Sequence, residues 1–371
     1  MHKKVLQLRC TGQLLGAERV ILELGKELPP LGYESVVGVP VEQGMPEPEL
    51  VCAAKALGYE VVVFPIKGAF DLSALTAVKK YVQDNNIDIV HSHGYREDLY
   101  ALKCRSLAKL VATNHLWKRT DWKLSLYAKL DAFLLKFFHH IVAVSKPVKI
   151  DMLNEGLKDQ NITLVQNGID TTHYAQKHDT AAIKASLGIE QDATVLATLS
   201  SLTGEKAIDV AIKAFAALPE QSNKLTLLVI GDGPERDNLQ QLAHKLGCEK
   251  RVVFAGRRSD ISALLSCVDL FVLSSLAEGL PMALLEAMAS GCAVIATAVG
   301  DVPDVVDTSV GRLIEAGNSQ ALTNAMSEIV YDSAALKRYG NAAKNRIEQQ
   351  FSSKAMASGY AAIYNKLLNA N

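Results

Sequence analysis

Two doubly wound α/β domains, each a parallel sheet with helices on both faces, are what this sequence predicts. Three observations carry that reading. Short β-branched runs alternate with amphipathic helical stretches, the rhythm of βαβ units. The rhythm restarts in the second half, after a polar stretch at 168–180 entered through Asn167-Gly168. The chain has 371 residues, enough for two domains at about 150 residues each.

In chain order, residues 5–8 read as a buried strand. Residues 16–28 show helical spacing through Val20, Ile21, Leu24 and Leu28. Strands are expected at 35–39 and 61–64, a helix at 73–84, and further strands at 87–91 and 110–113. The second series places a strand at 195–199, a helix at 208–217 and a strand at 225–230. That strand is broken by Gly231-Asp232-Gly233-Pro234. A helix at 235–246, a strand at 252–254, a short helix at 261–265, a strand at 270–273, a helix at 282–289 and a strand at 294–296 follow. Residues 351–368 have helical spacing through Met356, Tyr360, Ile363, Tyr364 and Leu367. In such sheets ligands sit beyond the carboxyl ends of the strands, so a cleft between the two domains is the expected site.

Composition narrows the function classes. Apolar residues make up 49% and charged residues 21%, a globular balance that excludes disorder and a long coiled coil. Lys+Arg 39 against Asp+Glu 40 leaves a net charge of −1, which argues against a nucleic-acid partner. The six cysteines are scattered with no C-x-x-C pair, as in a protein with reduced thiols. No signal peptide and no run of eighteen apolar residues is seen. The pairs His91/His93 and His139/His140 have no partners at metal-site spacing, so no metal is expected. The neutral total conceals one basic stretch: residues 96–149 hold eleven Lys/Arg and four Asp/Glu, a local +7, interleaved with Trp117, Trp122, Tyr127, Phe133, Phe137 and Phe138. It reads either as a face for an anionic membrane or as helices whose aromatics pack inward beneath solvated lysines.

The most informative segment is 274–291, SSLAEGLPMALLEAMASG, which follows a strand and opens a helix. Gly279 and Pro281 flank the helix start, with Pro281 suited to the first turn. Free N–H groups and the helix dipole there favour a phosphate. Glu278 lies in the loop and Glu286 eight residues on. As a bare spacing this reads equally as one dipole-favoured acid and one surface acid. The whole string resembles the signature of the retaining family-4 glycosyltransferases of GT-B fold, the glycosyl transferases of group 1. LVIGDG (228–233), VVFAGR (252–257) and VQNGID (165–170) match further family strings in order. DIVHSH (88–93), VATNH (111–115), VAVS (142–145) and Gly16-Ala17-Glu18 match those of the first half. The resemblance spans nearly the full length.

It implies hexosyl transfer from a nucleotide sugar with retention at the anomeric carbon. The acceptor side would be a domain at 1–170, to which a helix at 352–371 crosses back, and the nucleotide sugar would bind a domain at 171–351. Glu286 would hold the ribose diol, since a carboxylate accepts from two neighbouring hydroxyls. Glu278 would face the donor sugar, and Gly279, Leu280, Pro281 and Met282 would approach the sugar and diphosphate. Arg257, with Arg258 as a substitute, would lie by the base, although a plain surface arginine explains Arg257 equally well. Gly16, with Gly12, permits close approach of a phosphate, and a tight turn is the alternative. His115 would meet the donor sugar and diphosphate, while His93 and Arg119 are acceptor-side candidates.

Catalysis would rest on Lys206, Glu278 and His115 through positioning and electrostatics, with front-face attack and no protein nucleophile. The family places an arginine, four residues and a lysine in the loop after the first strand of the donor domain. Here Lys206 matches the lysine, and Ser201 stands in place of the arginine. Either another basic residue (Arg9, Arg257 or Arg119) fills the gap, or the chain binds nucleotide sugar with weak or no transfer. A same-fold epimerase is disfavoured by the EGLPMALLEAMASG string. The expected donor is a UDP- or GDP-sugar, with no other cofactor. The expected acceptor is a glycan or lipid-linked saccharide of surface polysaccharide or lipopolysaccharide type, and a small metabolite is the lesser option. The expected location is cytoplasmic, with peripheral contact on the inner face of a membrane through 96–149 left open.

Overall fold

The computed structural model describes residues 2–10, 13–68, 71–115, 117, 122–219 and 224–369. The chain divides into two units, Met1–Gly168 with Ser353–Asn371, and Ile169–Ser352.

The first unit alternates strands and helices. They are β1 (Lys3–Leu8), α1 (Gly16–Glu27), β2 (Tyr33–Glu42), α2 (Glu49–Ala56), β3 (Glu60–Ile66), α3 (Leu72–Asp84), β4 (Ile89–Ser92) and α4 (Tyr95–Leu102). Then come β5 (Lys109–Asn114), α5 (Trp122–Leu135), β6 (His140–Ala143), α6 (Lys146–Asn154) and β7 (Ile162–Leu164). Its strands lie in the order β3-β2-β1-β4-β5-β6-β7. All pairs are parallel, with Leu8 opposite both Gly38 and Ser92.

The second unit opens with α7 (Thr171–Tyr174), α8 (Thr180–Ser186), β8 (Thr194–Leu199), α9 (Ile208–Ala216) and β9 (Leu225–Ile230). It continues through α10 (Arg236–Lys245), β10 (Val252–Gly256), α11 (Ile261–Leu265), β11 (Leu270–Leu273), α12 (Met282–Ala289) and β12 (Ala293–Thr297). It ends with α13 (Val302–Val305), β13 (Gly311–Ile314), α14 (Ser319–Ile329) and α15 (Ser333–Gln350). The order β10-β9-β8-β11-β12-β13 is again wholly parallel. In each sheet the order reverses beside the first strand, between β1 and β4 and between β8 and β11, the switch points where α/β sheets bind ligands.

The strands are apolar on both faces because helices cover both faces. Along β12, Val294 and Ala296 pack with α12 and α15, while Ala293 and Ile295 pack with α9 and α14. The last helix, α16 (Ser353–Asn369), belongs to the first unit. It lays Met356, Tyr360 and Tyr364 against Val5, Ile89, Val111 and Val142 of four different strands.

Several expected boundaries move. The helix expected from residue 351 begins at Ser353, because Ile169 bridges Ser352 and donates its N–H to the Phe351 carbonyl at 3.0 Å. The strand expected from residue 87 begins at Ile89, because the Ile87 amide closes the turn onto the Val82 carbonyl. In VAVS the strand stops at Ala143, and the Ser145 hydroxyl caps α6 by accepting from the Val148 N–H. All six cysteines are thiols. No helix among the described residues is long and apolar enough to cross a membrane.

One contact ties α15 to the turn that ends α12. A Cβ on Gly340 would lie 2.0 Å from the Gly291 carbonyl oxygen. Alanine is the better helix former by about 1 kcal/mol, yet Gly340→Ala is expected to destabilise the second unit by about 1–3 kcal/mol through overpacking. A lower urea midpoint for that unit checks this, and an unchanged or raised midpoint refutes it.

Candidate functional site

In the second unit Ser201, Lys206 and Glu278–Pro281 lie on two adjacent carboxyl-edge loops, 200–206 after β8 and 274–281 after β11. The first loop is seated by glycines. Gly231 has φ +133°, and a Cβ there would lie 1.8 Å from the Ser200 carbonyl oxygen; at Gly233 it would lie 2.5 Å from the Leu202 oxygen. The Leu202 N–H donates to the Asp232 carbonyl at 3.0 Å. The LVIGDG string thus forms the bed on which the Lys206 loop rests. Gly204–Lys206 is a single 3₁₀ turn ending on Ala207, whose left-handed φ of +47° is unfavourable for alanine by about 1–2 kcal/mol.

The two loops are stitched together. The Ser274 hydroxyl donates to the Lys206 carbonyl at 3.0 Å, and the Leu276 N–H to the Glu205 carbonyl at 2.9 Å. Lys206 Nζ donates to Glu278 Oε1 at 2.7 Å, and the Ser275 hydroxyl donates to the same oxygen at 2.7 Å. Behind them, the Thr297 hydroxyl holds the Ser275 carbonyl. Gly300, with φ +55°, lets its loop close on the back of the motif: a Cβ would lie 2.2 Å from the Glu278 carbonyl oxygen and 2.4 Å from that of Gly279. The Asp301 N–H donates to that Gly279 carbonyl at 2.9 Å.

Pro281 is the N-cap, with extended φ −73° and ψ 126°, and α12 starts at Met282. That corrects its expected place in the first helical turn. Leu280 is buried behind the loop. Glu286 lies one turn beyond Met282 on the same helix face and is only 2% exposed, which excludes a surface acid. Arg257 follows β10 and is exposed. Arg258 is held bidentate by Asp260 at 2.7 and 2.5 Å, so it does not stand ready as a substitute. Ser201 is exposed, and its short side chain brings no charge to the loop.

The first unit gathers a second set. Arg9, just past β1, donates through Nε to Glu18 Oε1 at 2.7 Å and through Nη1 to the His93 carbonyl, and Glu97 lies 3.7 Å from Nη1. Its charge is therefore answered by two buried carboxylates of its own unit. Glu18 also accepts the Leu15 N–H at 3.0 Å, closing the first turn of α1, which Gly16 opens. His93 Nδ1 lies 3.2 Å from His115 Nε2, and His93 Nε2 lies 2.8 Å from Gln7 Oε1. Deeper in, His91 lies 2.6 Å from the Tyr364 hydroxyl and 2.7 Å from Thr113 Oγ1, which in turn meets the Tyr360 hydroxyl. Burial holds His115 and His91 at about 3, and His93 well below its ordinary value, with neighbouring histidines or Arg9 adding to the effect. All three rings are neutral at neutral pH. Gly12 and Arg119 lie outside the described residues.

A cavity of about 420 Å³ opens here, walled by Arg9, Glu18, His93, Asn114, His115 and Trp117 among others. Asp98 and Asp131 also line it. Burial and the facing Asp131 carboxyl push Asp98 up, and burial pushes Asp131 up against the bond it accepts from the Trp117 indole. Asn114 Nδ2 and Asp131 Oδ1 are buried without a hydrogen-bond partner among the described residues. A larger hollow of about 870 Å³, by Lys3, Lys4, Glu34, Glu60 and Asp88, lies at the amino ends of the strands, the wrong edge for ligands. Among the described residues no cluster of His, Cys, Asp or Glu could hold a metal.

Sequence reading missed Ser275, Gly300, Gln7, Asp98 and Asp131. Ser275 sits inside the quoted string and Gly300 within a Val-Gly-Asp turn, both visible as signals. Gln7, Asp98 and Asp131 carry none, since each is polar only because of what it faces.

The histidines yield a signed pH prediction. With a folded value of about 3 for His91 and about 6.5 unfolded, the unfolded chain binds more protons between these values. The contribution of His91 therefore shrinks as pH falls. His91→Asn is expected to be less stable than the parent at neutral pH, and the gap should narrow by up to about 1.4 kcal/mol per pH unit from about 6.5 to 5. Urea unfolding across that range checks it; a constant gap refutes it.

The family model described as Glycosyl transferases group 1 matches residues 179–346, and that described as Glycosyltransferase Family 4 matches residues 15–173. N-acetyl-alpha-D-glucosaminyl L-malate synthase of Bacillus anthracis is 29% identical over 387 aligned positions, covering 99% of this chain and 98% of that protein. The lipopolysaccharide core biosynthesis glycosyltransferase LpsE of Rhizobium meliloti is 33% identical over 181 positions, 48% of this chain and 52% of that one. Among solved structures, Anabaena HepE in complex with UDP superposes with a TM-score of 0.86 at 22% identity, over 98% of this chain and all of that one, and it has also been solved with UDP-glucose. With both family models in sequence order on the two units and the GT-B fold around them, the chain belongs to the family-4 glycosyltransferases.

Proposed function

We propose that this glycosyltransferase moves a hexose, with retention and without a metal, from a nucleotide sugar to a hydroxyl of a growing surface glycan or lipid-linked saccharide. UDP is favoured over GDP as the carrier. The observation that carries the reading is the Lys206–Glu278–Ser275 cluster at the carboxyl edge of β8 and β11, one helix turn from the buried Glu286 face. UDP and UDP-glucose in HepE support the uridine carrier, and the lipopolysaccharide role of LpsE supports the glycan acceptor.

In this reading Glu286 accepts hydrogen bonds from the ribose diol, and the 279–282 backbone receives the sugar and diphosphate. The bond between the anomeric carbon and the phosphate oxygen breaks, and the diphosphate leaves with the electron pair. Lys206 neutralises the charge that develops. The acceptor hydroxyl attacks from the face the diphosphate leaves, and its proton passes to a phosphate oxygen of the leaving group. No side chain serves as nucleophile. Glu278 holds Lys206 in place and meets the donor sugar. His115, neutral and in contact with His93, faces donor or acceptor hydroxyls without adding charge.

A second acceptor reading has its own support. The malate-conjugating relative aligns over nearly the whole chain, so a small hydroxy acid is the alternative to a glycan. Transfer assays with both acceptor classes separate the two.

Lys206→Ala is expected to lower kcat/KM by about 10²–10³. Glu286→Ala is expected to weaken UDP binding by about 10–100-fold, the loss of charge-assisted hydrogen bonds. NMR of the product should show the donor's anomeric configuration. An inverted product overturns the retaining reading. The absence of any melting shift with UDP or GDP overturns the donor site. Ser201→Arg reports on the missing guanidinium: a higher kcat at unchanged UDP affinity shows that its absence limits turnover.

A further inference from the structure

Helix α5 is apolar on two opposite sides. Ala128, Asp131, Ala132 and Leu135 are buried on its inner side. At about 100° per residue, Trp122, Leu126, Leu130 and Phe133 fall in an arc of about 80° on the other side. Phe137, in the turn after the helix, joins them by packing edge-on against Phe133 with ring centres 5.4 Å apart. These five side chains are 42–72% exposed, on a face where a helix in water carries polar groups. Lysines border the arc on both sides: Lys123 on one, Lys129 and Lys136 on the other, all exposed. The one acid in α5 is Asp131, and it is buried. Among the described residues of α5 and the turn after it, the face therefore offers aromatic and aliphatic groups bordered by lysines.

We propose that this face of α5 docks on an anionic lipid surface. The stripe would enter the boundary between headgroups and acyl chains, and the lysine stems would reach out to lipid phosphates. Charge selects this occupant. A symmetric pairing of two copies through the same face would set the lysine rims against each other, which is unfavourable; an anionic surface complements the whole rim. The aromatics also separate the two readings of the 96–149 stretch. Phe138 and Trp117 pack inward, but Trp122, Phe133 and Phe137 share the lysine side. The inference goes beyond the transfer reading: it concerns where the enzyme works, whichever acceptor it uses.

The test is sedimentation of the full-length protein with vesicles, without donor or acceptor. The protein should pellet with phosphatidylcholine vesicles holding about 30% phosphatidylglycerol, far less with phosphatidylcholine alone, and should be released by about 0.5 M salt, where the Debye length is only a few Å. Phe133→Ser/Phe137→Ser and Lys129→Glu/Lys136→Glu should each weaken partitioning by at least about tenfold, with UDP-induced melting shifts unchanged. Because Lys129 and Lys136 are exposed, the charge pair gives a readout even if the serine pair lowers stability. The proposal is overturned if the parent does not bind the anionic vesicles, or if both double variants bind as the parent does. It is also overturned if the parent is a dimer that either double variant dissociates, which would assign the face to a second copy. Failure here leaves the donor-site reading untouched, since UDP binding is measured separately.

Discussion

A wholly parallel sheet delivers the carboxyl end of every strand to the same edge, because each connection must cross back over a face before the next strand begins. Both units obey this without exception. The two central strands of each sheet, β1 and β4 in one and β8 and β11 in the other, end side by side at the switch point, where the residues that follow them meet. Arg9 and His93 come from the first pair, and Lys206 and Glu278 from the second. Positions distant in sequence, such as Lys206 and Glu278, become neighbours at 2.7 Å because their strands pair in register, Ala197 opposite Phe271.

Within that edge, backbone proximity does the positioning. The glycines at 231, 233 and 300 matter because the carbonyl of a neighbouring loop occupies the space a Cβ would need. Each clears room for a loop carrying a charged or polar group. Lys206 and Glu278 then balance each other, with Ser275 as the third member. A mostly buried ammonium is tolerable when a carboxylate and fixed dipoles answer it, and in the proposed reaction the same ammonium neutralises the leaving diphosphate. The serine at 201 leaves this site with one fewer cation than the family pattern, and Arg9 is committed to Glu18 and Glu97 in its own unit.

The first unit solves a different problem. Gln7, His91 and His93 place polar groups on a sheet buried on both faces, where an unpaired polar group costs several kcal/mol. α16 answers this with Tyr360 and Tyr364, whose hydroxyls meet Thr113 and His91 from the far end of the chain. The return of the last helix is thus a polar requirement as well as an apolar one. The neutrality of the histidines follows from the same burial.

The sequence by itself determined the βαβ rhythm, the two series, the strand–loop–helix setting of Glu278 and Glu286, and the loop carrying Lys206. Each of these is written in local spacing: apolar periodicity, a Gly-Pro break, a fixed interval between acids. It left the strands β6, β7 and β13 and the helices α2, α4, α5, α6, α14 and α15 without bounds; a helix apolar on two sides, as α5 is, hides its phase. Only the tertiary structure decided that Glu286 is buried, that Arg258 belongs to Asp260, that Arg9 is answered within its unit, and that Asp98 and Asp131 meet. It alone showed which aromatics of the basic stretch face outward. The physical reason is common to all of these: burial and pairing depend on what an element packs against, and in a parallel sheet that neighbour comes from another part of the chain.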